Sequence, residues 1–188
     1  MLILGRDPRN EPVSTLLSFL LWLKKTAEVK EIASESIKKI IYDMTETMLD
    51  ANAIGLAAPQ VHINKRIFVY QNPDTVTNES NIKITALINP KIEKVSEQIN
   101  DSWEGCLSIP GMLGLVRRFT KIEYSGYDIE GNKIMSSAEG LHSRIIQHEN
   151  DHLEGVLYPQ RIEDLQLFGF SDEVNRNLDL LNKGSFKE

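Results

Sequence analysis

The chain has little of several things that would otherwise decide its class. It holds a single cysteine, Cys106, so no disulfide can form within it and its fold must rest on a hydrophobic core. It has no long run of lysine or arginine, and its formal net charge is −6. That balance argues against a DNA groove or a polybasic membrane patch as the main function. The most apolar stretch, Leu16–Leu23, is far too short to span a bilayer. It is followed by Lys24-Lys25 and no small-residue cleavage site, so it fits a signal peptide poorly and the expected location is the cytoplasm. No internal repeat or low-complexity segment appears. With 188 residues, 41% hydrophobic and 26% charged, the expectation is one soluble globular domain, 1–188.

What is there begins with periodicity. Residues 13–27 look helical. Within 33–50, Ile37, Ile40, Ile41, Met44 and Met48 recur at helical spacing and predict an amphipathic helix. Strand-like runs follow at Arg66–Gln71, Thr85–Asn89, Ile92–Val95 and Thr120–Asp128. Turn signals stand at Asn72-Pro73, Asn89-Pro90 and Glu130-Gly131-Asn132. Ser136-x-x-Glu139 fits a capping box and predicts that a second helix starts there, with Gly155 placed to end it. Residues 164–182 carry a further helical pattern. Together these predict an α+β domain: antiparallel β-sheets around a central metal-binding helix, with an N-terminal and a C-terminal helix.

Chemistry is concentrated at Gln147-His148-Glu149-Asn150-Asp151-His152. The chain has only four histidines, and two of them stand four apart. Four residues are about 400° of helical rotation, so both imidazoles can reach one metal ion while Glu149 points to a neighbouring direction. Leu141, Ile145, His148 and His152 fall on one stripe, which places the histidines on a buried face; His142 and His62 lie off it and read as surface residues. Two stripe histidines can also be satisfied core residues, and a metal needs a third protein ligand. Cys106, in Glu104-Gly105-Cys106-Leu107-Ser108, could be inert packing or could supply a thiolate. A thiolate and two neutral imidazoles would leave a divalent ion one position for water.

Three segments in order carry a resemblance: Ala53-Ile54-Gly55-Leu56-Ala57-Ala58-Pro59-Gln60, then Glu104-Gly105-Cys106-Leu107-Ser108, then Gln147–His152. In these the chain resembles the peptide deformylases, from about residue 33 to residue 162. The resemblance implies metal-dependent removal of the N-formyl group from the formyl-methionine of newly made polypeptides. It implies Cys106, His148 and His152 as ligands of one divalent ion, usually Fe2+, with Zn2+, Ni2+ or Co2+ able to take its place. It implies Glu149 as general base and acid, and Gln60 with the backbone N–H of Leu107 as holders of the oxyanion. Ile54, Gly55 and Gly105 would bind an extended substrate, Leu141, Arg144 and Ile145 would line a pocket for its methionine side chain, and Glu104 and Arg118 would pair to support the cysteine loop. The partners implied are N-formyl-methionyl nascent peptides, with transient ribosome proximity. Nothing in the sequence sets an oligomeric state.

Two departures accompany the resemblance. The first segment begins with Ala53 where the family usually has glycine, and His62 stands where glycine is frequent. Some deformylases approach the ribosome through a basic C-terminal helix. Here Glu163, Asp164, Asp172, Glu173, Asp179 and Glu188 outnumber Arg176, Lys183 and Lys187, which opposes docking on RNA. A metal-dependent amidase or peptidase of other specificity, or a silent module that grips N-termini, would share the scaffold; the presence of Glu149, Gln60 and all three ligands weighs against the silent reading.

Overall fold

The computed structural model describes residues 24–75 and 83–182; the Leu16–Leu23 run lies outside them. Three helices and eight strands are present among the described residues: α1 (Glu35–Asp50), β1 (Gly55–Ala57), β2 (Ile67–Gln71), β3 (Ile84–Val95), β4 (Ile99–Cys106), β5 (Ile109–Phe119), β6 (Lys121–Tyr127), β7 (Lys133–Glu139), α2 (Leu141–Glu154), β8 (Phe168–Phe170) and α3 (Ser171–Asn182). One sheet has the order β1-β2-β3-β6-β7 and the other β4-β5-β8, every pairing antiparallel. The architecture is α+β. No helix among the described residues is long and apolar enough to cross a membrane.

At β2 the five-stranded sheet is covered on both faces, which is why this strand reads as a continuous apolar run with no polar alternation. Successive side chains point to opposite faces. Ile67 and Val69 therefore join Ile41, Met44, Met48 and Leu56 in one cluster with α1. Phe68 and Tyr70 join Ile145, Ile146 and Leu153 of α2 in another. Helix α1 buries the periodic set Ile37, Ile41, Met44 and Met48. It ends where Asn52 takes the left-handed conformation (φ 49°) and Ala53 N–H returns to the Met48 carbonyl at 3.0 Å. The positive φ falls on Asn52, so Ala53 sits in ordinary backbone and bears no strain where the family usually has glycine.

Several local expectations are corrected. The runs at Thr85–Asn89 and Ile92–Val95 are one strand, β3. Asn89 (φ 49°) forms an irregularity in it, not a turn, and the register against β6 shifts between Ile88 and Lys91. Residues 24–27 are not helical. Thr26 is bonded through both its N–H and its hydroxyl to the carbonyl of Leu153. Ser136 does not cap a helix: it pairs with Tyr124 inside β7, and α2 starts after Gly140, whose φ of 59° and ψ of −124° suit only glycine. Cross-strand pairing with β6 outcompetes the local cap. His142, expected at the surface, is 2% exposed, with Nδ1 2.6 Å from Asp74 Oδ2 and its ring stacked on Tyr70.

The layer between α1 and the sheet gives a direct test. Met48 is fully buried, whereas its neighbour Leu49 is 47% exposed. Met48→Ala should cost about 2–5 kcal/mol of unfolding free energy in denaturant titration, as buried truncations do. Leu49→Ala should cost under about 1 kcal/mol, as surface changes do. Equal effects would contradict this packing.

Candidate metal centre

Helix α2 supplies two of the three candidate ligands and buries both. His148 and His152 are 4% and 1% exposed, with ring centroids 5.0 Å apart. Cys106 arrives from elsewhere, as the last residue of β4, where Leu107 and Ser108 turn the chain into β5. The ladder register shifts between Glu104 and Cys106, at Gly105. One ligand atom from each of Cys106, His148 and His152 lies within 4.8 Å of the others, and Cys106 Sγ is 3.3 Å from His152 Nε2. Sulfur and two imidazole nitrogens at this separation fit a single divalent ion such as iron or zinc.

The surroundings prepare these atoms. Burial opposes ionisation of the Cys106 thiol, but the imidazoles of His152 and His148 overcome it and hold the thiol well below its ordinary range. Burial likewise opposes the charged form of His148, yet Cys106 and Glu104 outweigh it and hold the imidazole well above its ordinary range, so a metal ion at this ring must displace a proton. His148 Nδ1 donates to Glu104 Oε2 at 2.9 Å, which leaves Nε2 to face a metal. Ser108 N–H points at Cys106 Sγ from 3.4 Å, a further donor to a thiolate.

Glu104 is fully buried. Arg118 grips it with two parallel bonds, Nε to Oε1 and Nη2 to Oε2, both 3.0 Å. Burial would raise the Glu104 carboxyl, but His148 and Arg118 hold it well below the usual carboxylate range. Arg118 Nη1 continues to Asp151 Oδ2 at 2.6 Å, and Asp151 in turn binds Arg161. In the sequence Asp151 stands beside His152 but off the facing that the two histidines share, which argues against it as a ligand and gives no sign of its arginine partners. Tyr158, stacked on His148 at 6.4 Å, likewise gives no sign of its place.

Glu149 is 2% exposed, and burial pushes its carboxyl up to about 7. Its Oε2 is buried without a hydrogen-bond partner. A Cβ added at Gly55 would collide with the Glu149 carboxylate; glycine is needed here because β1 lies directly against it. Gln60 is held by its own Oε1, which accepts Ala57 N–H at 2.8 Å. Its Nε2 is thereby turned toward Cys106 Sγ (3.5 Å) and Ser108 Oγ (3.2 Å).

The structure thus gathers Cys106, His148, His152, Glu149, Gln60, Leu107, Gly105 and Gly55 about one point. It treats the three expected pocket residues differently. Ile145 is 1% exposed and packs against the five-stranded sheet, and Leu141 is 53% exposed at the start of α2. Arg144 is 8% exposed and turned toward Glu104.

Comparison with known proteins agrees with this geometry. A family model described as polypeptide deformylase matches residues 21–167. Peptide deformylase 1 of Bordetella pertussis is 43% identical over 84% of this chain and 90% of its own. Peptide deformylase 2 of Ralstonia nicotianae is 42% identical over 80% and 86%. The crystal structure of a peptide deformylase from Thermotoga maritima superposes with a TM-score of 0.69 at 32% identity, covering 87% of this chain and 99% of that one. A Met-Ala-Ser-bound peptide deformylase from Acinetobacter baumannii superposes at 0.66 with 29% identity, covering 86% and 98%. Matches of this extent, on a chain whose thiol and imidazoles already converge, place it: the chain belongs to the polypeptide deformylase family, metal-dependent hydrolases that take the N-formyl group from newly made polypeptides.

Proposed function

We infer that this chain performs its family's reaction at the Cys106 centre, with Glu149 as the proton carrier. The observation that carries this reading is the convergence of Cys106, His148 and His152 within 4.8 Å, beside the unpartnered Oε2 of Glu149. Ferrous iron is the proposed ion, by resemblance to the family; zinc, nickel or cobalt suit the same donors. Once bound, such an ion would supply Lewis acidity that lowers the pKa of water to about 7. Glu149 then takes the proton of the attacking water and delivers it to the amine that leaves, a role suited to a carboxyl whose pKa lies near 7. Negative charge grows on the formyl oxygen, where Gln60 Nε2 and the Leu107 N–H meet it. One such donor contributes about 3 kcal/mol.

The substrate enters as a strand. Strand β1 is an end strand of its sheet, so the backbone at Ile54 and Gly55 can pair with an extended peptide, and Gly105 can flank it from the other side. Backbone pairing asks little of the sequence beyond the first residue. A single enzyme can therefore serve many nascent chains. The proposed setting is the cytoplasm, near the ribosome but without docking through the acidic tail.

A formyl carbon carries only hydrogen, whereas an acetyl group adds a methyl where the carbonyl would meet the Gln60 and Leu107 donors. Overpacking of this kind costs about 1–3 kcal/mol, and the methyl also lowers electrophilicity. Formyl-Met-Ala-Ser should be hydrolysed at least about 100-fold faster in kcat/KM than acetyl-Met-Ala-Ser, in a side-by-side amine-release assay with the metal kept reduced. Comparable rates, or cleavage of an internal peptide bond, would move the protein to the general amidase or peptidase reading. Glu149→Ala should keep wild-type metal stoichiometry and lose about 100-fold or more in kcat. Loss of the metal instead would make Glu149 a ligand.

A further inference from the structure

Arg144 occupies a position that family resemblance assigns to the wall of the methionine pocket, yet both terminal nitrogens of its guanidinium are engaged elsewhere. Nη1 donates to Glu104 Oε1 at 2.6 Å and to the Val116 carbonyl at 2.9 Å. Nη2 donates to the Asn100 carbonyl at 2.8 Å and lies 3.4 Å from Asn100 Oδ1. Both terminal nitrogens are spent on β4 and β5, and the residue is 8% exposed. Little of it remains to meet a substrate side chain.

Its position on α2 matters more. Arg144 and His148 are four residues apart, so they project from one face of the helix. They take the two oxygens of the same carboxylate: Arg144 holds Glu104 Oε1, and His148 Nδ1 holds Oε2. Arg118 alone, approaching from β5, could satisfy both oxygens in fork geometry and would leave the carboxylate free to turn with it. The 2.6 Å bond from Arg144 fixes Oε1 from the helix side, so that Oε2 stays opposite His148.

We propose that Arg144 is a positioning residue for the metal centre, which locks the Glu104 carboxylate so that His148 keeps its metal-facing tautomer, and that it is not a wall of the substrate pocket. The inference rests on the Cys106, His148 and His152 ligand set but not on the identity of the substrate. Partners behind a ligand histidine typically change metal affinity 10–100-fold when removed.

The test uses the metal-loaded enzyme and the variants Arg144→Leu and Arg144→Lys. Transfer of the metal to a chromogenic chelator should run about 10-fold or more faster from Arg144→Leu than from wild type. Arg144→Lys should fall between the two, because an ammonium supplies one bond where the guanidinium supplies a fixed fork. Thermal unfolding of metal-loaded and metal-free protein separates this from a general loss of packing. The gap between their Tm values should shrink in Arg144→Leu, since weaker binding yields less stabilisation of the folded state. The ratio of kcat/KM for formyl-Met and formyl-Leu peptides, measured with metal saturating, should stay within about twofold of wild type, less than the 10-fold that about 1.4 kcal/mol of changed pocket contact would produce. An unchanged chelator rate, or an unchanged gap with both Tm values lowered equally, would overturn the proposal. So would a shifted peptide preference with metal retention intact, which would return Arg144 to the pocket wall. If neither formyl peptide is hydrolysed, the deformylase reading fails, while the chelator and Tm measurements still decide the role of Arg144.

Discussion

A carboxylate with no exposure to water is the constraint around which this protein is built. Burying a lone Glu104 anion would cost several kcal/mol even after relaxation. It is tolerable only because Arg118, Arg144 and His148 converge on its two oxygens. The partners come from two elements of the fold. Arg118 lies on β5 of the same hairpin, and Arg144 and His148 lie one turn apart on α2. The carboxylate therefore locks the second sheet against the helix that carries the ligands. Two residues further along β4, on the far side of the Gly105 irregularity, Cys106 is delivered to His152.

Glu149 is governed by the opposite logic. Burial outweighs the attraction of the His148 and His152 imidazoles and lifts its carboxyl to about 7. Its carboxylate packs against the backbone of β1 at Gly55, where an added Cβ would collide with it. Two buried glutamates of one site are thus driven apart in acidity by their surroundings: the donors around Glu104 favour its ionised form, and burial raises the Glu149 carboxyl. The strand that lies against Glu149 is also an end strand of its sheet.

Much of this was legible in the sequence because it rests on short-range periodicity. The four-residue spacing of His148 and His152, the apolar repeat of α1 and the Gly155 stop all follow from helix geometry alone. What could not be read depends on partners distant in the chain. Ser136 looks like a cap until Tyr124 is known to pair with it. His142 looks exposed until Asp74 and Tyr70 close over it. Asn89-Pro90 looks like a turn, but β2 and β6 flank the strand on both sides of it and carry β3 through an irregularity. Arg144 sits on a helical stripe like any other residue, and only the fold shows that its charge belongs with Glu104.

The most direct test of the central claim is the metal affinity of Glu104→Gln, measured by chelator competition alongside its unfolding free energy. The amide keeps the shape but removes the charge on which two arginines and His148 depend. Metal should bind about 10–100-fold more weakly, as when a partner behind a ligand histidine is lost. Stability should fall by about 3–5 kcal/mol, as when one member of a buried ion pair is removed. A Glu104→Gln protein that binds metal and resists unfolding like wild type would show that the site is held together by something other than this carboxylate.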